Sequence, residues 1–253
     1  MSHLMSRYED RLREREIPAD SESALVREII PNNVKFTPSG EIKPYYGLTC
    51  ITWIDPKTHL YQNLCEVQKS IKDDFELVGV GHVFSFLEPS SFHMTICDIS
   101  SSSSPCTEQE AKIINTQIRG VFSQGRKTKT NTALVRGIGL ISTLTALVRF
   151  TKESELKKAL DLECKIKQAT KVDVRKFTGH ISLAYCVTPP GAQEKFIWEI
   201  LHHYHDLDFG ELIISKFDLT CFTDMNTFVP MATVNIDTGH LEEHTNLTEC
   251  QFC

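Results

Sequence analysis

The chain has 253 residues, of which 41% are hydrophobic and 24% are charged, so it is long enough to bury a substantial core. Its formal net charge of -6 provides no overall field that would attract a polyanion, which argues against a long nucleic-acid duplex as the partner. Its nine cysteines are an odd number, spread through strand-like and helix-like segments, a pattern that favours buried thiols in a reducing compartment over a disulfide framework.

The amino-terminal residues are too polar for a leader sequence. The run MSHLMSRYEDRLRERE is dense in charge and lacks the apolar core of a signal peptide. No later apolar run approaches the roughly 20 residues that a membrane span requires. We therefore expect a cytoplasmic protein with no membrane partner, and a monomer is the favoured oligomeric state.

The first half of the chain begins with a charged segment and continues as strands and helices. Residues 1–30 are predicted to form a charged helix, and Pro31, Pro38 and Pro44 then break the periodicity, so residues 1–44 are expected to be an appendage. The elements that follow are a strand at 46–54, a helix at 59–75, strands at 79–88 and 92–99, and a helix at 107–124. Thr107 and Glu110 give a capping-box signal at the start of the last helix.

The second half repeats this order of elements. It predicts strands at 132–141 and 145–150, a helix at 153–168, a strand at 179–187, a helix at 192–205, and strands at 211–222 and 228–236. The repetition predicts two similar α+β lobes, at about 45–130 and 131–236, within one domain at 45–236. Residues 237–253 are expected to be a polar tail.

Two strand-like segments, one in each predicted lobe, contain a histidine, an apolar residue and a hydroxyl residue. The first runs from His93 to Thr95 and the second from His180 to Ser182. Because side chains alternate across a strand, each histidine shares a face with its hydroxyl partner. A single tripeptide of this kind occurs often by chance, and a lone strand histidine is usually a hydrogen-bonded structural residue. The functional inference therefore depends on the doubling.

Two imidazoles and two hydroxyls together supply what the cleavage of a phosphoester requires. One base deprotonates the attacking oxygen, and one acid protonates the leaving oxygen. Histidine suits both roles because its unperturbed pKa of ~6.5 leaves both protonation states accessible near neutrality. Thr95 and Ser182 would donate hydrogen bonds to the phosphoryl oxygens. The sequence leaves open which of His93 and His180 is the base.

The paired motifs resemble the two signatures of the 2H (two-histidine) phosphoesterase superfamily, and the order of strands and helices around them is similar. The opening KFTPSGEIKPYYGLT and the context FHMTICD look most like an uncharacterised bacterial branch. The resemblance covers residues 45–236. It implies a bilobed α+β fold of two pseudo-symmetric lobes, in which antiparallel sheets line a central groove and helices lie outside.

The residues and the resemblance together predict a metal-independent phosphoesterase that cleaves a 2′,3′-cyclic phosphate or a short RNA-type phosphodiester without a cofactor. Its catalytic residues would be His93, Thr95, His180 and Ser182. Its partner would be a small nucleotide or a short single-stranded RNA, and not duplex DNA. The alternative is a non-catalytic module that holds a nucleotide or an RNA end in the same groove. Tight binding without product would favour that alternative.

Aromatic residues near predicted strand ends are candidates for stacking on a base, although aromatic residues in strands more often pack in a core. They are Tyr45, Tyr46, Trp53 and Phe177, of which Tyr46 is the predicted substrate contact. Tyr185 is a further candidate, although it would lie on the opposite strand face from Ser182 if the strand is regular.

A basic run near the junction of the lobes could steer a phosphate, although most charge runs are solvated loops. Arg126 and Lys127 are the candidates there. No metal site is predicted. His240, Glu243 and His244 match the signature of inverted zinc peptidases, which needs a helix and a further carboxylate well downstream, but only nine residues follow them.

Overall fold

The computed structural model describes residues 2–18, 28–102, 104–124, 129–172 and 177–244, which form five α-helices and ten β-strands. The helices are α1 (His3–Arg13), α2 (His59–Leu77), α3 (Glu108–Gln124), α4 (Glu153–Thr170) and α5 (Glu194–His202). The strands are β1 (Tyr46–Trp53), β2 (Phe84–Phe86), β3 (His93–Ser102), β4 (Asn131–Leu140), β5 (Thr143–Arg149), β6 (His180–Cys186), β7 (Asp208–Ile214), β8 (Lys216–Phe222), β9 (Phe228–Asn235) and β10 (Leu241–Glu243). None of the described helices combines the length and the apolar character that a membrane span requires.

Apolar residues recur at helical spacing in the helices, and capping side chains precede α1, α2 and α3. In α2 the buried residues Leu60, Leu64 and Ile71 lie on one face. At the start of α3 the backbone N–H of Glu110 donates to Thr107 Oγ1 at 3.2 Å, and the N–H of Thr107 donates to the Glu110 carboxylate at 2.8 Å. The predicted capping box is therefore present, and it satisfies donors that a helix start leaves unpaired.

The described strands belong to one sheet in which every pairing is antiparallel. The strand order is β10, β9, β8, β1, β3, β6, β5, β4, β7, and β2 pairs with β6. The two halves of the sheet join where β3 meets β6, at the paired positions Met94 and Ile181. Further along, β6 pairs with β2 instead. The junction between the halves therefore lies at the two histidine motifs.

The segment predicted as a single strand at 211–222 is two strands, so that prediction is wrong. β7 pairs with β4 at one edge of the sheet, whereas β8 pairs with β1 in the other half. Only Ser215 separates them, and consecutive Cα atoms are about 3.8 Å apart, so the sheet must bend enough to bring β7 close to β8. The domain and lobe boundaries stay a prediction, but β8 and β9 lie in the half of the sheet that contains β1 and β3.

The amino-terminal segment is a shorter helix than predicted, and it packs on the sheet. α1 ends at Arg13, and residues 19–27 lie outside the described residues. The buried Tyr8 hydroxyl donates to the Val148 carbonyl at 2.7 Å and accepts from the Gly179 N–H at 3.1 Å. A Cβ at position 179 would lie 2.7 Å from that hydroxyl, so this close approach requires glycine. The segment is thus bonded to the residue that precedes His180.

The apolar residues form a main core and a smaller cluster. The main core extends from α1 to β9, with α4 packed on β3 and β4 and α2 packed on β7. The smaller cluster, called the satellite cluster below, consists of Phe36, Leu87, Tyr185, Val187, Phe222 and Met225, with Tyr45 and Phe228 packed against it. The predicted α+β class, with an antiparallel sheet and helices packed on it, is confirmed.

Candidate active site

The two histidine motifs alternate between a half-exposed and a buried face of the sheet. Met94 and Ile181, the middle residues of the motifs, pack in the main core. The four outer residues are half-buried. We call them the histidine face: His93, Thr95, His180 and Ser182. The alternation predicted from the strand period is therefore present in both motifs.

The antiparallel register places the two motifs side by side on adjacent strands. Because Met94 is paired with Ile181, the register aligns His93 with Ser182 and Thr95 with His180. Directly opposed side chains on antiparallel strands have Cβ atoms about 5 Å apart. Each imidazole therefore lies beside the hydroxyl of the other motif. The structure brings the four predicted catalytic residues together.

Both imidazoles are held by the same backbone contact. Nδ1 of His93 lies 2.7 Å from the Ser91 carbonyl oxygen, and Nδ1 of His180 lies 2.8 Å from the Thr178 carbonyl oxygen. A carbonyl oxygen only accepts, so each Nδ1 must carry the proton that it donates. This fixes the neutral tautomer and leaves Nε2 of each ring as the atom that can take or give a proton.

Burial lowers the pKa of His93 from 6.5 to about 4. The hydrogen bond to the Ser91 carbonyl and the negative charge of Asp98 act in the opposite direction and raise that pKa, whereas the positive charge of Lys35 lowers it. His93 is therefore neutral near pH 7, and the charge of Asp98 favours its protonated form.

Burial also lowers the pKa of His180 from 6.5 to about 4. Among the remaining influences, the positive charge of Arg15 comes first and lowers the pKa further. The hydrogen bond to Thr178 raises it, and the charges of His93 and Lys35 lower it. The two histidines thus have similar pKa values and share the influence of Lys35, but the charge of Asp98 acts on His93 and the charge of Arg15 acts on His180.

Aromatic rings surround His93 on one side. The ring centres of Phe228 and Trp53 lie 4.6 Å and 5.8 Å from that of His93. Phe228 in turn contacts Phe222, which contacts Tyr45, with ring centres 5.6 Å and 5.9 Å apart. We call this row the aromatic wall: Trp53, Phe228, Phe222 and Tyr45. Three of its rings are half-buried and Phe222 is buried.

A β-bulge in β6 decides the position of Tyr185. Consecutive residues of β5 pair with Ser182 and Ala184, so Leu183 has no paired residue on β5. Leu183 and Ala184 both pack in the main core, and Tyr185 belongs to the satellite cluster. Tyr185 therefore lies on the same face as Ser182, whereas a regular strand would place it on the opposite face.

Lys35 is a site residue that the sequence patterns did not identify. Its Nζ donates to the Tyr185 hydroxyl at 3.2 Å and lies 5.2 Å and 4.9 Å from the ring centres of Tyr45 and Tyr185. Because Tyr185 shares the face of Ser182, the ammonium lies on the same side of the sheet as the histidine face, and its charge lowers the pKa of both His93 and His180. A lysine in a loop rich in proline and glycine has no periodicity that would reveal this.

Two of the other predicted contacts, Tyr46 and Phe177, are not brought to the histidine face. Tyr46 pairs with Ser102, at the end of β3 opposite to His93. Phe177 is 5% exposed and stacks on Tyr8 in the main core. Arg126 and Lys127 lie outside the described residues.

The zinc-peptidase pattern does not lie on a helix. Its residues 241–243 form β10, which pairs with β9, and His244 bonds to Thr233 through Nε2 at 2.6 Å. In the described part of the chain, no group of three or more His, Cys, Asp or Glu side chains is arranged to hold a metal ion.

Part of the chain matches a known protein family. Residues 35–105 match the model of a 2H-phosphodiesterase family described as a domain of unknown function, DUF1868. This segment contains the first histidine motif and Lys35. The resemblance to the 2H phosphoesterase superfamily is confirmed. No curated protein matches the chain.

Solved structures share the 2H phosphoesterase fold at low identity. A conserved protein of unknown function from Agrobacterium tumefaciens has a TM-score of 0.58 and 16% identity, over 79% of this chain and 92% of that one. A Thermus thermophilus protein has a TM-score of 0.52 and 15% identity, over 77% and 100%. LigT of E. coli, complexed with 3′-AMP, has a TM-score of 0.51 and 9% identity, over 76% and 98%. At these identities the likeness establishes the fold, and with the family match it supports a phosphodiesterase-type function.

Proposed function

We propose that this protein is a metal-independent phosphoesterase that hydrolyses a 2′,3′-cyclic phosphate or a short RNA-type phosphodiester through His93 and His180. The observation that carries the proposal is the matched arrangement of the two motifs. Each imidazole donates from Nδ1 to the carbonyl two residues earlier, at 2.7 Å and 2.8 Å, and each lies across from the hydroxyl of the other motif.

His180 is the base and His93 the acid in this proposal. Arg15 disfavours a proton on His180, whereas Asp98 favours a proton on His93. Because the two pKa values are similar, these charges decide which ring holds a proton: an anion favours the protonated form and a cation favours the neutral form. For hydrolysis of a cyclic phosphate, Nε2 of His180 takes a proton from water as the water oxygen bonds to phosphorus. The bond from phosphorus to the leaving ribose oxygen breaks, and that oxygen takes the proton from Nε2 of His93.

The negative charge of the substrate favours the protonated form that His93 needs to act as an acid. With pKa values of about 4, both histidines are neutral near pH 7 in the free protein. An anionic phosphate beside the imidazoles raises their pKa, because an opposite charge favours the protonated form. Binding therefore favours one proton on the pair, and Asp98 directs it to His93. Thr95 and Ser182 donate to the phosphoryl oxygens, where each donor contributes about 3 kcal/mol.

The proposed substrate is a small nucleotide or the end of a short single-stranded RNA, acted on by a cytoplasmic monomer. The complex of LigT with 3′-AMP supports this class, since LigT shares the fold. A 3′-phosphate is one of the two products that opening a 2′,3′-cyclic phosphate yields.

The test is product formation from 2′,3′-cyclic nucleotides and short RNAs in excess EDTA. The wild type is compared with His93→Ala, His180→Ala and the control His82→Ala, since His82 is exposed and outside the histidine face. We expect turnover that survives the chelator, falls about 10²-fold to 10⁴-fold in the first two variants and is unchanged in the control. Turnover that is indifferent to His93 and His180 would overturn the proposal. Tight binding without product would favour the non-catalytic module.

A further inference from the structure

Lys35 is a cation held in place beside the histidine face. Its ammonium is fixed by the Tyr185 hydroxyl at 3.2 Å and lies 5.2 Å from the ring centre of Tyr45. Among the described residues it forms no ion pair with a carboxylate, so its charge remains available to a ligand. Lys35 is half-buried, which strengthens its attraction for an anion relative to a fully solvated lysine.

The position of Lys35 separates it from the groups that address the reacting phosphate. Thr95 and Ser182 flank the two imidazoles, but the Tyr185 that anchors Lys35 lies three residues beyond Ser182. Three strand residues span roughly 10 Å, somewhat less across a bulge. Because its anchor lies beyond Ser182 along β6, Lys35 is placed at the edge of the histidine face, where it can bind a different group of the substrate than the phosphoryl group between the histidines.

The aromatic wall connects these two places. Phe228 contacts the His93 ring, and Tyr45, at the other end of the wall, contacts the Lys35 ammonium. The satellite cluster packs against this wall. Phe222 belongs to both, and Phe228 and Tyr45 pack against the cluster. Half-buried aromatic rings of this kind are suitable for contact with the planar face of a base. The histidine face and Lys35 thus provide two positions for an anion, and the apolar surface of the aromatic wall connects them.

We propose that Lys35, held by Tyr185 and Tyr45, forms a second anion subsite that binds a further phosphate of a nucleotide substrate, in addition to the phosphate that reacts between the histidines. This inference rests on the proposed function and names its substrate class: a nucleotide or RNA end with a second phosphate, whose base lies along the aromatic wall. The segment at 28–45 is then part of the site, although it precedes both predicted lobes.

The test compares binding of adenosine 3′,5′-bisphosphate and of 3′-AMP by titration calorimetry. The proteins are the wild type, Lys35→Met, Lys35→Arg and the control Lys43→Met. Lys43 belongs to the same segment, but its ammonium donates to the Asn33 carbonyl at 2.8 Å. We expect the wild type and Lys43→Met to prefer the bisphosphate by about tenfold, Lys35→Arg to keep part of this preference, and Lys35→Met to lose it.

Binding of 3′-AMP serves as an internal control for folding, because it reports the histidine end of the face in every variant. If the Lys35→Met variant no longer binds 3′-AMP, the Tyr185→Phe variant is used in its place. That variant lacks the hydroxyl that anchors Lys35, so its preference for the bisphosphate over 3′-AMP should be smaller than that of the wild type. An equal preference in the wild type and the Lys35 and Tyr185 variants, or no preference in the wild type, overturns the subsite. If the wild type hydrolyses plain cyclic nucleotides but shows no preference, only this inference fails. If the preference depends on Lys35 but nothing is hydrolysed, the proposed function fails and the subsite stands.

Discussion

The indole N–H of Trp53 donates a hydrogen bond of 2.7 Å to Oδ2 of Asp218, a carboxylate that is only 7% exposed. The other carboxylate oxygen accepts from the Thr233 hydroxyl at 2.5 Å. Trp53 in turn presents its ring to that of His93, with an angle of 74° between the ring planes. A buried carboxylate therefore fixes the orientation of an aromatic residue beside the proposed acid.

Replacement of Asp218 by alanine should destabilise the protein by about 2–3 kcal/mol, because it removes the acceptor of the Trp53 N–H and one of the two partners of the Thr233 hydroxyl. Asp218→Asn should cost less, since the amide keeps the shape of the side chain and one carbonyl oxygen for the indole. Urea unfolding followed by circular dichroism measures both free energies of unfolding. Equal losses in the two variants would contradict a role for the acceptor oxygens.

The parts of the site that the sequence predicts are those set by the strand period. Alternation places His93 with Thr95 and His180 with Ser182, and a regular alternation holds through both motifs. The doubling of the motif indicates that the two pairs act together. Their adjacency agrees with this, since the single pairing of Met94 with Ile181 joins the two halves of the sheet.

The parts that the sequence does not predict depend on irregular backbone or on long-range pairing. The bulge at Leu183 shifts Tyr185 to the other face, and no residue type marks that position as a bulge. The change of sheet partner at Ser215 lies inside a segment, residues 211–222, whose sequence pattern predicts a single strand. Lys35 reaches the histidine face from a loop whose path is set by tertiary contacts such as the packing of Phe36 on Tyr185.

The contact between Tyr8 and the start of β6 should contribute to both stability and turnover. Tyr8→Phe removes a donor from the Val148 carbonyl and an acceptor from the Gly179 N–H, both buried, at a cost of about 1–3 kcal/mol. Because Gly179 precedes His180, turnover should also fall while the affinity for 3′-AMP changes less. Thermal unfolding and steady-state kinetics measure the two effects. The control is Tyr46→Phe at a half-buried tyrosine, and a Tyr8→Phe variant as stable as this control would argue against the contact.

The buried histidines should make the protein less stable as the pH falls from 6.5 towards 4. Each has a pKa of about 4 when folded and about 6.5 when unfolded, so in this window the unfolded chain binds more protons. Stability is therefore complete above pH 6.5 and declines below it, by on the order of 1 kcal/mol per pH unit for each histidine. Denaturant unfolding at several pH values should show a shallower decline for a variant with His93→Gln and His180→Gln. The same slope in both proteins would mean that these groups titrate normally.

Removal of the Lys35 charge should raise the pKa of both histidines in the free protein. The charged groups that act on them are Asp98 and Lys35 at His93, and Arg15, Lys35 and the His93 imidazole at His180. Lys35→Met removes the one cation that they share, so the protonated form of each ring becomes less unfavourable. A titration of the imidazole resonances by NMR, with Lys43→Met as the charge-matched control, should show upward shifts at both histidines only in the Lys35 variant. An upward shift at one histidine alone would limit the influence of the ammonium to that histidine, and no shift at either would contradict its position beside the histidine face.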